Sequence, residues 1–372
     1  MQQLITIIMF LIFLSILIVI HELGHFLTAK AFGVYCHEFS LGMGPLVAQK
    51  KIGETKFSLR AIPIGGYVAM AGESEIPDAP ALPRERTLVG IARWKRAIVL
   101  AAGIVLNLVL AYVILVGFIL NTGLTQEASY VNVSPNSLLA NAGVQTGDRI
   151  TAAQVILTAA DGTTVLQNTT DASITTYIEF VELLTIAQPS AVNQQQCLIL
   201  TIEGKTSPVM VCRTITTFTT NEQGQVTEIA PLIGVSPTTR AASWGESLVL
   251  AGQVEWEMGT MIFAGLGGLF APGGFDNVAG PIGMVQASTD FIDLGVWYYL
   301  YFWAIISVNL AVFNILPIPG LDGARLLMTA VEGITRKPIN PKVEMMIHAI
   351  GFLFLIGLMI AVTFKDLFTW LG

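Results

Sequence analysis

Residues 4–20 read LITIIMFLIFLSILIVI and run straight into His21-Glu22-Leu23-Gly24-His25. An apolar run of this kind, with helical signal persisting to Gly33, is a membrane span, and this one carries three polar side chains at its far end. It has no basic leader, so a cleaved signal peptide is not expected. The rest of the composition agrees. Of 372 residues, 53% are hydrophobic and only 12% charged, with a mean hydropathy of +0.67, whereas an ordinary soluble domain carries about 25% charged residues. So few charges cannot cover a soluble globule of this size. The formal charge of -7 and a pI near 5.1 leave no basic stripe to neutralise phosphates, which excludes nucleic acid as a partner.

Three further stretches are long and apolar enough to cross a bilayer. Residues 94–120 are introduced by Arg93, Lys95 and Arg96; residues 296–316 end in a proline-broken segment; residues 345–364 form the last. Four spans put both termini on one side, and the basic residues decide which. Ten Lys/Arg lie between residues 28 and 96 and four more are Arg325, Arg336, Lys337 and Lys342, while residues 121–295 hold four against fifteen acidic residues. By the positive-inside bias the two basic loops are cytoplasmic, and the acidic middle segment and both termini face outward. The fold class expected is a polytopic α-helical membrane protein of the cell (inner) membrane, with four transmembrane helices and an inserted extracytoplasmic β-rich domain. Its parts are a first transmembrane helix (1–33), a cytoplasmic segment (34–92), a second helix (93–120), the outward domain (121–237), a linker (238–295), a third helix (296–323), a cytoplasmic loop (324–343), a fourth helix (344–364) and an outward tail (365–372).

The outward domain announces itself at Asn121, where Ser, Thr, Asn and Gln become frequent and short β-branched runs alternate with turn signals such as Asp161-Gly162 and Gly204-Lys205. Residues 246–270 are apolar but interrupted by Glu246, Glu255, Glu257 and five glycines, so an amphipathic surface helix is expected there rather than a fifth span. Cys197 and Cys212 flank the Gly204-Lys205 turn at equal distance, which leaves an oxidised pair open to them in an outward domain. Pro208 would interrupt a regular hairpin between them. Cys36, on the cytoplasmic side, is expected as a free thiol, and three cysteines are too few for a disulfide scaffold.

The chemistry lies in HELGH. Residues four apart share a helix face, so His21 and His25 can reach one zinc ion while Glu22 points beside them toward a water. A charged residue near a span's centre costs about 2.5–3.5 kcal/mol on insertion scales, and structural zinc sites bind with about 10–16 kcal/mol, the right size to offset the cluster. From Ile5 to His21 is about 24 Å of helix, which puts the site in the cytoplasmic leaflet. A catalytic zinc needs a third protein ligand and an open position. The residue six after His25 is alanine, so a third histidine at that spacing fails. Glu38, Glu54, His37 and His348 are conceivable, but Asp322 is the better candidate. It lies in NILPIPGLDG, residues 314–323, where Pro317 and Pro319 break the backbone at the end of an apolar span; such breaks at membrane depth line protein interiors or wet cavities.

HELGH in the first span, together with the Asn314-to-Gly323 segment in the third, resembles the bacterial form of the site-2 protease family of intramembrane zinc metalloproteases. Pro63-Ile64-Gly65-Gly66-Tyr67-Val68 looks like that family's membrane-reentrant β element, Gly103 to Asn107 like its GxxxN motif, and Gly280-Pro281-Ile282-Gly283 also matches. Residues 133–150 look like the signature of a circularly permuted PDZ domain, with Ile233-Gly234-Val235 as its closing strand. The resemblance covers nearly the whole chain. It implies a zinc metalloendopeptidase in which His21, His25 and Asp322 hold one Zn2+ and Glu22 is the catalytic base. It further implies substrate contacts at Asn314, Pro317, Gly65, Gly66, Tyr67 and Asn107. Its partners would be single-span membrane proteins, among them anti-sigma factors or signal-peptide remnants, the lipid bilayer, and a peptide C-terminus at the PDZ domain. Two other classes compete: an inactive zinc-binding PDZ scaffold, against which the intact Glu22 speaks, and a transporter, for which a second broken span of inverted topology is missing.

Overall fold

The chain is described by a computed structural model covering residues 2–73, 82–125, 129–135, 137–161, 163–169, 172–186, 191–220, 226–230, 233–268 and 280–371. It divides into two compact units, one made of Met1–Asn121 with Ser243–Gly372, the other of Thr122–Ala242.

In the first unit the apolar run becomes one helix, α1 (Gln2–Ala31). It stops at Gly33, whose φ of 80° lets Gly33 N–H donate to Lys30 O and Val34 N–H to Ala29 O. These two bonds satisfy carbonyls the helix end would otherwise leave bare. Two long strands follow, β1 (Cys36–Ile52) and β2 (Thr55–Met70). Both bend, so the pairing is more than a simple hairpin. Residues 38–41 pair on one side with 66–69 and on the other with 56–59, while 46–52 add outside 55–60. Gly42, Gly44 and Gly65, all near φ 80°, supply the bends. Residues 66–70 thereby form an edge of this curled sheet, with no further strand on them among the described residues. The outer part leaves Met43, Leu46, Val47, Leu59 and Ile62 exposed, an apolar surface of the kind that meets a membrane or a partner. At its base Glu54 accepts from Lys30 at 2.6 Å and from Arg86 at 2.8 Å, tying helix end, turn and the following segment together.

Helix α2 (Arg93–Thr122) buries Val99, Gly103, Asn107, Ala111 and Leu115, a single face at four-residue spacing. The second unit is built from small elements: β3 (Leu124–Thr125), β4 (Val131–Val133), α3 (Leu138–Asn141), β5 (Ile150–Thr158), β6 (Val165–Asn168), β7 (Ala172–Ser173), α4 (Tyr177–Ile186), β8 (Gln195–Ile202), β9 (Val209–Thr214), β10 (Thr217–Thr220), β11 (Val226–Ala230), β12 (Val235–Pro237) and β13 (Thr239–Arg240). Its main sheet has the order β6-β5-β8-β9, with β7 also on β5, while β4 pairs with β12 and β3 with β13. Alternate residues of β5 and β8 point inward, and Val155, Leu157, Leu198, Leu200 and Phe180 form the core. Cys197 and Cys212 are directly opposite in the β8–β9 register and are joined as a disulfide. Pro208 does not interrupt this pairing, because it stands just ahead of β9 where no ladder donor is needed.

The chain then returns to the first unit as α5 (Trp244–Gly268), α6 (Pro281–Asp293), α7 (Val296–Ile315), α8 (Asp322–Thr335) and α9 (Pro341–Leu371). Among the described residues four helices are long and apolar enough to cross a membrane, at Ile5–Ala31, Arg93–Thr122, Val296–Ile315 and Lys342–Asp366; the molecule is a multi-pass membrane protein. Helix α5 is not among them. Helix α6, which the sequence reading passed over as linker, has Pro281 at its first position, and Asp366 of α9 accepts from Gly283 N–H at 3.0 Å. That side chain fills one of the donors a helix start leaves open. An aromatic cluster of Phe10, Phe13, Tyr299, Phe302 and Trp303 packs α7 against α1, with Phe13 stacked on Trp303 at 5.2 Å.

Candidate metal centre

Helix α1 puts His21 and His25 one turn apart, so both imidazoles leave the same face, and both are about 5% exposed. The third group arrives from far along the chain. Leu316, the residue before Pro317, is extended with ψ 144°, as a residue ahead of proline must be, and this ends α7. The chain turns through Gly320 at φ 101° and restarts as α8 with Asp322 as its first residue. Gly323 makes the turn-back feasible, since a Cβ there would lie 2.2 Å from Leu316 O. His348 of α9 accepts from Gly320 N–H at 2.9 Å and braces the loop.

The result is a compact triangle. Asp322 Oδ2 is 2.9 Å from His21 Nε2 and 3.1 Å from His25 Nε2, and the two Nε2 atoms are 3.2 Å apart. Ligands at about 2.0–2.1 Å around a tetrahedral ion stand about 3.3 Å from one another, so these three donors sit close to the edges of such a site. A second observation asks for a cation. His25 Nδ1 is 2.8 Å from Val99 O, which can only accept, so Nδ1 carries the ring proton. With Nε2 unprotonated the ring would aim a lone pair at the Asp322 carboxylate 3.1 Å away, an arrangement that a bound cation between them makes favourable. Two imidazole nitrogens and one carboxylate oxygen are a donor set suited to zinc, and the residues fit the ion.

The other expected residues distribute around this triangle. Glu22 is half-buried beside it, and the charged groups acting on it are His25, His21, Asp322 and Glu73. Asn107 is fully buried with its amide 3.2 Å from His21 Nδ1. Asn314 is buried and donates to Leu310 O at 2.9 Å within its own helix, and Pro317 is exposed. Gly65 and Gly66 are buried in β2; Gly66 lies where a Cβ would be 3.5 Å from Val19 of α1, two residues before His21. Tyr67 lies under the Arg60 guanidinium at 5.4 Å. Glu38 is bonded to Arg60 at 2.8 Å rather than to the triangle. Burial alone would raise its carboxyl, but hydrogen bonds from Ser58, Arg60 and Tyr67 hold it below the ordinary value. Glu54 is held by Lys30 and Arg86, and His37 packs edge-on against Tyr35. The side pairs around the triangle were not anticipated: Arg325, one turn after Asp322, is paired with Glu73 at the end of the curled sheet, and Arg96 with Glu332. Nor was Gly24, where a Cβ would lie 2.4 Å from Ala102 O, so that α1 and α2 touch backbone to backbone.

The sequence profile of peptidase family M50 matches residues 9–358. The chain is 32% identical over 357 aligned positions to a candidate zinc metalloprotease of Clostridium perfringens, covering 95% of this chain and 96% of that one. It is 29% identical over 444 positions to the zinc metalloprotease RasP of Shouchella clausii, covering 97% and 98%. To a candidate zinc metalloprotease of Nostoc it is 30% identical over 374 positions, covering 95% and 93%.

Proposed function

The chain belongs to peptidase family M50, and from that premise we propose that it is an intramembrane zinc metalloendopeptidase that cuts the transmembrane segments of single-span membrane proteins. The observation that carries this reading is the convergence of His21, His25 and Asp322 at the end of a helix apolar enough to cross a membrane. These three residues would hold the zinc. When bound, the ion supplies a Lewis acid that acidifies water and polarises the scissile carbonyl.

The remaining work falls to side chains of this protein. Glu22, next to the ligands and half-buried, takes a proton from the attacking water and returns it to the leaving amine nitrogen. The edge at residues 66–70, unpaired among the described residues and packed by Gly66 near Val19, receives the substrate as an added extended strand, which requires its helix to unwind locally. Gly65 and Tyr67 belong to that strand-binding element, which dips into the membrane through its exposed apolar outer part. Asn314 and Pro317 contribute to substrate backbone contacts at the broken end of the third span. The basic loops lie in the cytoplasm and the disulfide-bearing second unit outside, which agrees with the redox environment that cysteine pairs require. That unit, by its 133–150 signature a PDZ domain, takes a peptide terminus or screens substrates already trimmed on the outer side, as anti-sigma factors or signal-peptide remnants would be.

The test is cleavage of a single-span reporter in membranes. Loss of a general base costs about 10²–10⁴ in rate, so Glu22→Gln is expected to fall at least 100-fold while keeping its zinc. A Glu22→Gln protein that cuts as fast as wild type overturns the assignment.

A further inference from the structure

Each histidine of the triangle has a second ring nitrogen, and both of these face α2. Val99, Gly103 and Asn107 stand at four-residue spacing on one side of that helix. His25 Nδ1 reaches Val99 O, and His21 Nδ1 reaches the Asn107 amide. Gly103 between them leaves room for the rings, since a Cβ there would be 2.5 Å from His25 Nε2. The backbone oxygen of Asn107 in turn accepts from Ser307 Oγ of α7 at 2.8 Å. That bond ties the α2 backbone at Asn107 to α7 and leaves the side-chain amide to His21.

The sense of that amide is a matter of chemistry. Drawn with its nitrogen toward His21, it would make Nδ1 the acceptor and send the ring proton to Nε2, into the space shared with His25 and Asp322. The opposite end, Oδ1, is buried and meets no partner among the described residues, so nothing there holds the amide in one sense. Oxygen and nitrogen of an amide are exchanged by a half-turn that leaves its shape unchanged. A zinc ligand must offer a lone pair, and it takes its orientation from what the other nitrogen donates to.

We propose that Asn107 is the positioning residue of the metal centre: its side-chain oxygen accepts the Nδ1–H of His21, as Val99 O accepts that of His25, so that both Nε2 lone pairs converge with Asp322 on one divalent cation. This assignment rests on the zinc reading above and moves Asn107 from the substrate to the metal. Helix α2 then selects the tautomer of both histidines, one through backbone and one through a side chain.

The experiment is zinc affinity of the full-length protein in detergent, measured by competition with a chromophoric chelator, alongside the visible absorption of the cobalt-substituted protein. Asn107→Leu keeps the volume and removes the acceptor; it is expected to weaken zinc about 10- to 100-fold and to change the cobalt spectrum. Asn107→Asp keeps only acceptor oxygens, and is expected to hold zinc as well as wild type. If Asn107→Leu does not fold, Asn107→Ala also removes the acceptor, is expected to weaken zinc by the same factor, and overturns the proposal if its affinity is that of wild type. Wild-type affinity in Asn107→Leu, or loss of zinc in Asn107→Asp, overturns the proposal. A wild-type protein that takes up no zinc overturns the metal reading itself, a different result from either variant's.

Discussion

A β-carbon on Gly103 would sit 2.5 Å from His25 Nε2 and 2.8 Å from His21 Nε2, closer than side-chain carbons approach nitrogen. Gly103→Ala must therefore push the two ligand nitrogens off their positions. Overpacking costs about 1–3 kcal/mol, and here it falls on the donors themselves. Zinc affinity is expected to drop about 10- to 100-fold, the range seen when a ligand's support is disturbed, with chelator competition as the measurement. Unchanged affinity would mean that α1 and α2 cross elsewhere. At this scale the sequence was informative where chemistry is written in side chains. That His21, His25 and Asp322 come together was legible, because HExxH is periodic with the helix and Asp322 sits in a proline-broken segment. The Val99 carbonyl was not, since every residue has one and only the crossing of two helices tells which is used. The amide of Asn107 was noticed as part of a motif, but its neighbour was not.

Among the elements, α8 carries Asp322 to the histidines and is held there by ion pairs at both ends. Arg325 pairs with Glu73, and Arg96 pairs with Glu332, which also accepts from Ile339 N–H at 2.8 Å. The Arg96 and Glu332 side chains are only 13% and 11% exposed. Removing one member of a buried pair costs about 3–5 kcal/mol, because the other is left charged and dry. Glu332→Ala should accordingly lower the unfolding midpoint of the detergent-solubilised protein, and a midpoint within error of wild type would mean the pair is solvated. Burial alone would raise the Glu332 carboxyl, but the Ile339 N–H and Arg96 hold it below its ordinary value. A lowered folded pKa means the stabilisation is complete above the ordinary carboxylate range and is lost as pH falls through the folded value. The gap between wild type and Glu332→Ala should therefore narrow in acid. Helices of this length were easy to read, but α6 was not, because Ser, Thr and Asp mix into its apolar positions. The curled sheet was visible only as a glycine motif. Its register depends on bends at Gly42, Gly44 and Gly65, and non-local pairing leaves no periodic trace.

For the molecule as a whole, the orientation proposed from the basic loops is open to direct measurement. In a background lacking the native cysteines, Thr163→Cys and Lys337→Cys put single thiols at exposed positions. A membrane-impermeant maleimide on intact cells should label the first and spare the second. Labelling of Lys337→Cys alone would invert the topology. The charge distribution is what supplies this expectation, since basic residues avoid the outward side by an insertion rule that acts on sequence. How the third and first spans meet was beyond that rule, because apolar surfaces in lipid choose partners by shape.

The distance in sequence between the ligands has a consequence in time. His21 and Asp322 are 301 residues apart, and at synthesis rates of about 5–20 residues per second the first exists for about 15–60 s before the second. Once Arg93–Thr122 has been made, the nascent chain holds two imidazoles for α2 to receive and still lacks the Asp322 carboxylate that completes the set. A half-made molecule is thus unarmed, and the capacity to cut arrives only when nearly all of the chain that governs it has been made.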